Sequence, residues 1–390
     1  MNPSASGWIK KLLTEVGRNH PFLNCKQEVF YDALRNCGFI YGSNLNVIAG
    51  VVDKKDLTQE ELCKVNFCLA FLYIYHKFKP QIAFEDSVIG FYNSINDSKP
   101  SFFKEFLNKN TSVDQLEKII HKRIHIDANI LTKNFNYFII NALLFVDILA
   151  YKKYLETNTV SIDYLKRIEI SIGSISLDVL NSKETKNQYD ESLIKLFESS
   201  LRYRDYANVN YNASVSNLKT TLEKYYILDL ACMATWTDTK IDFKEDHFLK
   251  KLATDLSLKP FITEKSIDSI NTFYTTYKDN IALLSSKNIV QNFYDNSSKM
   301  VAKLISRNKK RLFQELKDSK ELMILLTQST VRDLTKDEQK KVQEQLLDIF
   351  KSIPSLAIFI LPGGAILLPL VVKFIPKLLP SAFDENRIEE

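Results

Sequence analysis

Residues 334–350, LTKDEQKKVQEQLLDIF, run through Lys351 into residues 352–387, SIPSLAIFILPGGAILLPLVVKFIPKLLPSAFDENR. The first piece reads as a capped amphipathic helix starting from Thr335. The second holds five of the chain's ten prolines, Pro354, Pro362, Pro369, Pro376 and Pro380, and its Gly363-Gly364 pair, all in one apolar run. A proline inside a helix removes a backbone donor and collides with the preceding turn, at about 3 kcal/mol. Ile353 to Val372 contains no charged side chain and, at about 20 residues, is just long enough to cross a hydrocarbon layer. Membrane helices accept Pro and Gly more readily than water-exposed ones do. Prolines 362, 369 and 376 recur every seven residues, which predicts one marked face or a series of kinks.

Working outward from that run, the 390-residue chain is short of punctuation. It has only nine glycines and ten prolines, and the C-terminal run takes two of the former and five of the latter. Hairpins need such residues, and no stretch alternates apolar and polar with a period of two. With 45% apolar and 25% charged residues the composition is that of a folded protein. The fold class predicted is therefore all-α, a multi-helix bundle or array ending in a Pro-rich apolar helical segment. The domains expected are residues 1–210, residues 211–320 with a basic helix, and residues 321–390.

Helices are expected in order. WIKKLLTEVGRNH, capped by Ser6 or Gly7, docks an apolar stripe of Trp8, Ile9, Leu12 and Leu13 on the body. QEVFYDALRNCGF follows, then a loop, then the capping box Thr58-x-x-Glu61 opening an apolar helix that Pro80 ends. AFEDSVIGFYNSI, SFFKEFLN and SVDQLEKIIHKRI, the last capped by Ser112, precede FNYFIINALLFVDILAYKKYLE. Asn141 and Asp147 interrupt that long helix, which marks it as buried rather than spanning. IDYLKRIEISIGSISLDVLNS, ESLIKLFESSLRYRDYA and SNLKTTLEKYYILDLACMATW continue the pattern. Residues 228–258 are similar to a repeat of the tellurite-resistance TerB-like helical domains. Their acidic turn is Asp238 to Asp242, with Asp242 and Glu245 as a capping box.

Beyond Pro260 a polar helical region carries Lys299, Lys303, Arg307 and Lys310, spaced 4, 4 and 3, along one helix face. Val301, Ile305 and Leu312 lie opposite. Such a stripe suits an anionic surface, either lipid phosphates or RNA phosphates. The net charge of +5 is too small to argue for nucleic acid by itself.

The string from Leu334-Thr335 through Ile353-Pro354, Leu367-Leu368-Pro369, Val372-Lys373, Ile375-Pro376 and Leu378-Leu379-Pro380 to Phe383 carries a family likeness. It resembles the membrane segment of the leucine-zipper and EF-hand-containing transmembrane proteins of mitochondria. More closely, it resembles their bacterial relatives, including a biofilm-associated group. That resemblance implies an inner-membrane protein linked to cation/proton exchange and to ribosome binding. It singles out Pro354, Pro362, Gly363, Gly364, Pro369, Lys373, Pro376 and Pro380. Ala365 stands where mitochondrial members carry an acid, and an uncharged segment cannot relay protons. The family's ribosome-binding portion, coiled coil and calcium-binding loop are expected after this segment, beyond the present chain.

Catalytic motifs are missing: there is no phosphate-binding glycine loop, no H-E-x-x-H, no C-x-x-C and no G-x-S-x-G. Glu117, His121 and His125 share metal-like i, i+4, i+8 spacing, but Lys118, Lys122 and Arg123 crowd them, and a solvated stripe is expected there instead. Five cysteines, odd in number, read as reduced core residues of a cytoplasmic body. No secretory signal is visible at the N-terminus. No enzyme activity, cofactor or resident metal is expected. The function expected is a membrane-associated helical adaptor on the cytoplasmic side of a bacterial inner membrane, with lipid, ribosome and protein partners and no reading of nucleic-acid sequence. Two other readings are a component of a cation/proton exchange system and a soluble helical interaction protein whose Pro-rich segment folds into the body.

Overall fold

The computed structural model describes residues 1–17, 19–53, 57–96, 111–124, 133–186, 188, 190–191, 194, 210–235, 241–277, 289–353, 356, 359 and 367–379. The expected helices at 101–108 and 191–207 fall wholly or largely outside them, as do the acidic turn from Asp238, residue His125, and Pro354, Pro362, Gly363, Gly364, Ala365 and Pro380. Among the described residues the secondary structure is helical throughout, with seventeen α-helices and no strand.

The first core is built around α4 (Gln59–Phe78). Thr58 and Glu61 close the expected capping box, and every side chain from Leu62 to Ile74 is buried. A helix buried all round must be sheathed by others. α1 (Trp8–Val16), α2 (Pro21–Asn24), α3 (Gln27–Asn36), α5 (Phe84–Asn96), α6 (Ser112–Ile124) and α7 (Lys133–Thr157) complete that sheath. Phe30 stacks on Tyr73 with ring centroids 3.9 Å apart, one contact in an aromatic network that runs through this core. α4 ends at Lys79, in the left-handed conformation at φ 47°, just before Pro80.

Polar residues on these helices hold the packing in register. Asn66 of α4 donates to the Asn44 side chain and the Asn46 carbonyl, both at 2.8 Å, and accepts from the Ile48 amide at 2.9 Å. This fastens the loop between α3 and α4. Asp147 of α7 accepts a fork from Arg123 of α6 at 2.6 and 2.9 Å and the Tyr92 hydroxyl of α5 at 2.8 Å. That set explains a carboxylate inside an apolar helix: a buried charge persists where it is paired and hydrogen-bonded.

α8 (Ile162–Ser182) supports α9 (Tyr211–Asn217), α10 (Thr221–Thr235) and α11 (Phe243–Asp255), and α12 (Pro260–Tyr277) closes the layer. The single helix expected from Ser216 to Trp236 is broken at Leu218–Thr220. Thr220 and Glu223 are the reason. The Glu223 carboxylate accepts the Lys219 and Thr220 amides at 2.7 and 2.9 Å, starting a new helix. Asp242 and Glu245 form the expected box at α11. The cap of α6 is Thr111, whose hydroxyl accepts the Asp114 amide, rather than Ser112.

A second core lies at the C-terminal end. It is built by α13 (Ile289–Arg307), α14 (Lys309–Lys317), α15 (Lys320–Gln328), α16 (Lys336–Ser352) and α17 (Leu368–Leu378), with Leu180 from the end of α8. The cores divide at neither residue 210 nor residue 320. Val301, Leu304, Ile305, Leu312 and Leu316 pack with Leu322 and the residues after it.

Candidate functional site

The C-terminal module grows from a few local rules. Thr335 accepts the Glu338 amide at 3.3 Å, and the Glu338 carboxylate accepts the Thr335 amide at 2.7 Å, so α16 opens on a capping box. The Arg332 guanidinium clasps the same carboxylate at 2.7 and 2.9 Å. With the guanidinium bonds first and the Thr335 amide next, Glu338 is held well below the usual range, at about 2. Val342, Leu346, Ile349 and Phe350 then fall on one buried face.

Side-chain bonds tie α16 to its neighbours. Ser319, at the start of α15, donates to Gln345 at 2.6 Å, and Lys341 pairs with Glu321 at 2.6 Å. Ser352 donates to Glu315 of α14 at 3.0 Å. The chain then enters the Pro-rich run. Ile353, Leu356 and Phe359 are buried, with the Phe359 ring 5.2 Å from that of Phe350.

The two described prolines of the run lie in the end turns of one short helix. Pro369 sits in the first turn of α17, where its missing N–H costs nothing, and Pro376 sits in the last. Leu379 closes the end by donating to the Ile375 carbonyl at 3.0 Å. α17 has 11 residues, and at 1.5 Å per residue it reaches about 16 Å, half a hydrocarbon core. Around the apolar stretch Ile353 to Val372, α16 stops at Ser352 and α17 starts at Leu368. Among the described residues no helix is long and apolar enough to cross a membrane.

The apolar side chains from Leu367 to Leu379 that are described meet protein. Leu367, Leu368, Leu370, Val371, Val372, Ile375 and Leu379 are buried with Val301, Leu304 and Ile305 of α13. Lys373 and Lys377 point outward. Each fully buried aliphatic contributes about 1.5–3 kcal/mol over the exposed state. Pulling α17 out would leave the apolar face of α13 uncovered as well.

The basic stripe is present with one change. Lys299, Lys303, Arg307 and Lys310 are all exposed, and Val301, Ile305 and Leu312 are buried opposite, as the spacing predicts. The helix does not run through them. It turns at Asn308, whose side-chain amide donates to the Leu304 carbonyl at 2.7 Å, so Lys310 belongs to α14. Lys309 and Arg311, exposed beside it, escape the four-residue spacing rule. A count of cations against acids along the chain would find them.

Glu117 is committed elsewhere. Its carboxylate accepts the Gly7 amide at 3.0 Å and the Ile9 amide at 2.9 Å, capping α1 at an N-terminal residue that has no side chain of its own. Among the described residues no group of three or more His, Cys, Asp or Glu could hold a metal. The four cysteines at 37, 63, 68 and 232 are buried thiols, and burial pushes Cys37 up to about 12.

Residues 334–390 match the family model described as LETM1-like, RBD, a ribosome-binding domain. The C-terminal region is thus LETM-like, and the ribosome-binding model falls on the Pro-rich segment itself rather than beyond it. No curated protein and no solved structure matches the chain.

Proposed function

We propose that this protein is a LETM-like helical adaptor that docks on the ribosome through its C-terminal module and has no catalytic chemistry of its own. The observation that carries the reading is the core in which the matched segment is packed. The segment similar to a ribosome-binding domain, residues 334–390, supplies α16 and α17 to a core that α13, α14 and α15 complete. The unit that would meet the ribosome is then the whole module from α13 onward. The first core, fastened by its own buried ion pairs, is left to present a protein partner.

Several features support an adaptor over a transport component. α17 is short, its apolar face is covered, and the exposed positions Lys373 and Lys377 are basic. A hold on the inner membrane would draw on these exposed cations. The direct test is cosedimentation of the full chain with purified ribosomes at about 50 and 200 mM salt, the range over which phosphate contacts weaken strongly. The reading predicts pelleting at the lower salt that weakens at the higher. A chain that stays in the supernatant at both would reject it.

A further inference from the structure

Between Asp295 and Glu315 the chain places six cations, Lys299, Lys303, Arg307, Lys309, Lys310 and Arg311, and no acid. All six are exposed. Lys299, Lys303 and Arg307 recur every four residues on α13, about 6 Å of rise apiece. Past the bend at Asn308, α14 starts with the other three in its first turn, with no acidic residue there and no side-chain cap. The amides of a helix start already present positive charge, so these three cations work against the local electrostatics of their own helix. Departures of this kind from local consistency collect where a surface serves a ligand, and the ligand this one suits is an anion.

The apolar side chains decide between two anionic partners. An interfacial helix enters lipid with an exposed apolar face. Here Val301, Leu304, Ile305, Leu312 and Leu316 are buried in the second core, so the bend offers charge alone. We infer that the α13–α14 bend is an RNA-binding surface, contacting the phosphate backbone through these six cations without reading bases. It lies outside the family-matched residues 334–390 yet on the same core. The inference deepens the ribosome-docking reading and rests on it for which RNA is bound; the charge argument stands apart.

Three probes test it on the full-length protein: purified ribosomes, a labelled A-form RNA hairpin, and vesicles of phosphatidylcholine with or without phosphatidylglycerol. A Lys303→Glu/Arg307→Glu/Lys309→Glu/Lys310→Glu variant should bind hairpin and ribosomes at least tenfold more weakly. Its dependence of log K on log salt should flatten, by about 0.7–0.9 for each phosphate no longer neutralised. A second variant, Lys309→Glu/Lys310→Glu, should bind more weakly while melting at a higher temperature, since acids suit that first turn. This separates a weakened binding surface from a damaged fold. Wild-type ribosome binding that the four-site variant retains in full would overturn the inference and leave the docking reading intact. Hairpin binding abolished in the variant, from a protein that never binds ribosomes, would sustain the inference and reject that reading. Preference for phosphatidylglycerol vesicles over the hairpin would overturn the inference in favour of lipid.

Discussion

Asp229 shows how much one residue organises in the first core. Its carboxylate accepts Arg35 at 2.7 and 3.0 Å and the Tyr31 hydroxyl at 2.8 Å, and Arg35 also donates to Ser266 at 2.8 Å. Helices α3, α10 and α12 are thereby locked in one arrangement. Truncating one member of such a buried pair strands the other, so Asp229→Ala should cost about 3–5 kcal/mol in chemical unfolding. An Arg35→Met/Asp229→Leu double variant should cost much less. Equal losses in the single and double variants would contradict the pairing. Asp178 near the end of α8 gives a pH signature. Burial raises its carboxyl to about 6 against the pull of Lys251, and one oxygen is buried without a partner. The folded state then holds a proton that the unfolded chain releases near pH 4, so stability falls as pH rises between about 4 and 6. Asp178→Asn should remove that slope, gaining on the wild type across the window by about 1 kcal/mol once the carboxyl's partial solvation is discounted. Parallel stability curves for the two proteins would contradict the assignment.

At the level of elements, helix starts are the most legible feature. The boxes at Thr58, Asp242 and Thr335 are visible as a cap followed three residues later by Glu, and each caps a helix as written. Thr335→Ala should lower stability by about 1 kcal/mol, measured by thermal melting. Because Glu338 is held near 2, its contribution is present above about pH 4 and fades as pH falls toward 2. A Glu338→Gln variant should lose stability at neutral pH and rejoin the wild type over that acid range; a deficit that stays constant would show that the carboxylate's charge does not act there. Other elements are less legible, for physical reasons. Thr220 to Glu223 is the same signal as the other boxes, but it is hidden inside a continuous apolar pattern. The break at Asn308 follows no glycine or proline, and its cations keep helical spacing across it, so packing of α14 on the second core decides the bend. Glu117 falls in a metal-like ladder, and nothing local reveals that Gly7, more than a hundred residues earlier, needs its carboxylate.

At the scale of the molecule, an all-α body is legible because a chain so poor in glycine and proline has few means of making hairpins. The Pro-rich run declares its family likeness but not its physics. A short apolar stretch between prolines can be covered by lipid or by protein. What covers it here, α13, lies some 60 residues upstream and carries no mark of the pairing beyond its own amphipathic spacing. The ribosome-docking unit is therefore larger than the recognisable segment: α16 and α17 need α13 to α15 for their core, and the RNA-facing charge sits on that added part. The most direct measurement compares ribosome cosedimentation of the full chain with that of a peptide spanning residues 334–390 alone, with circular dichroism of both. The account predicts that the full chain pellets with ribosomes, while the peptide shows no cooperative melt and stays in the supernatant. A peptide that binds ribosomes as tightly as the full chain would contradict it.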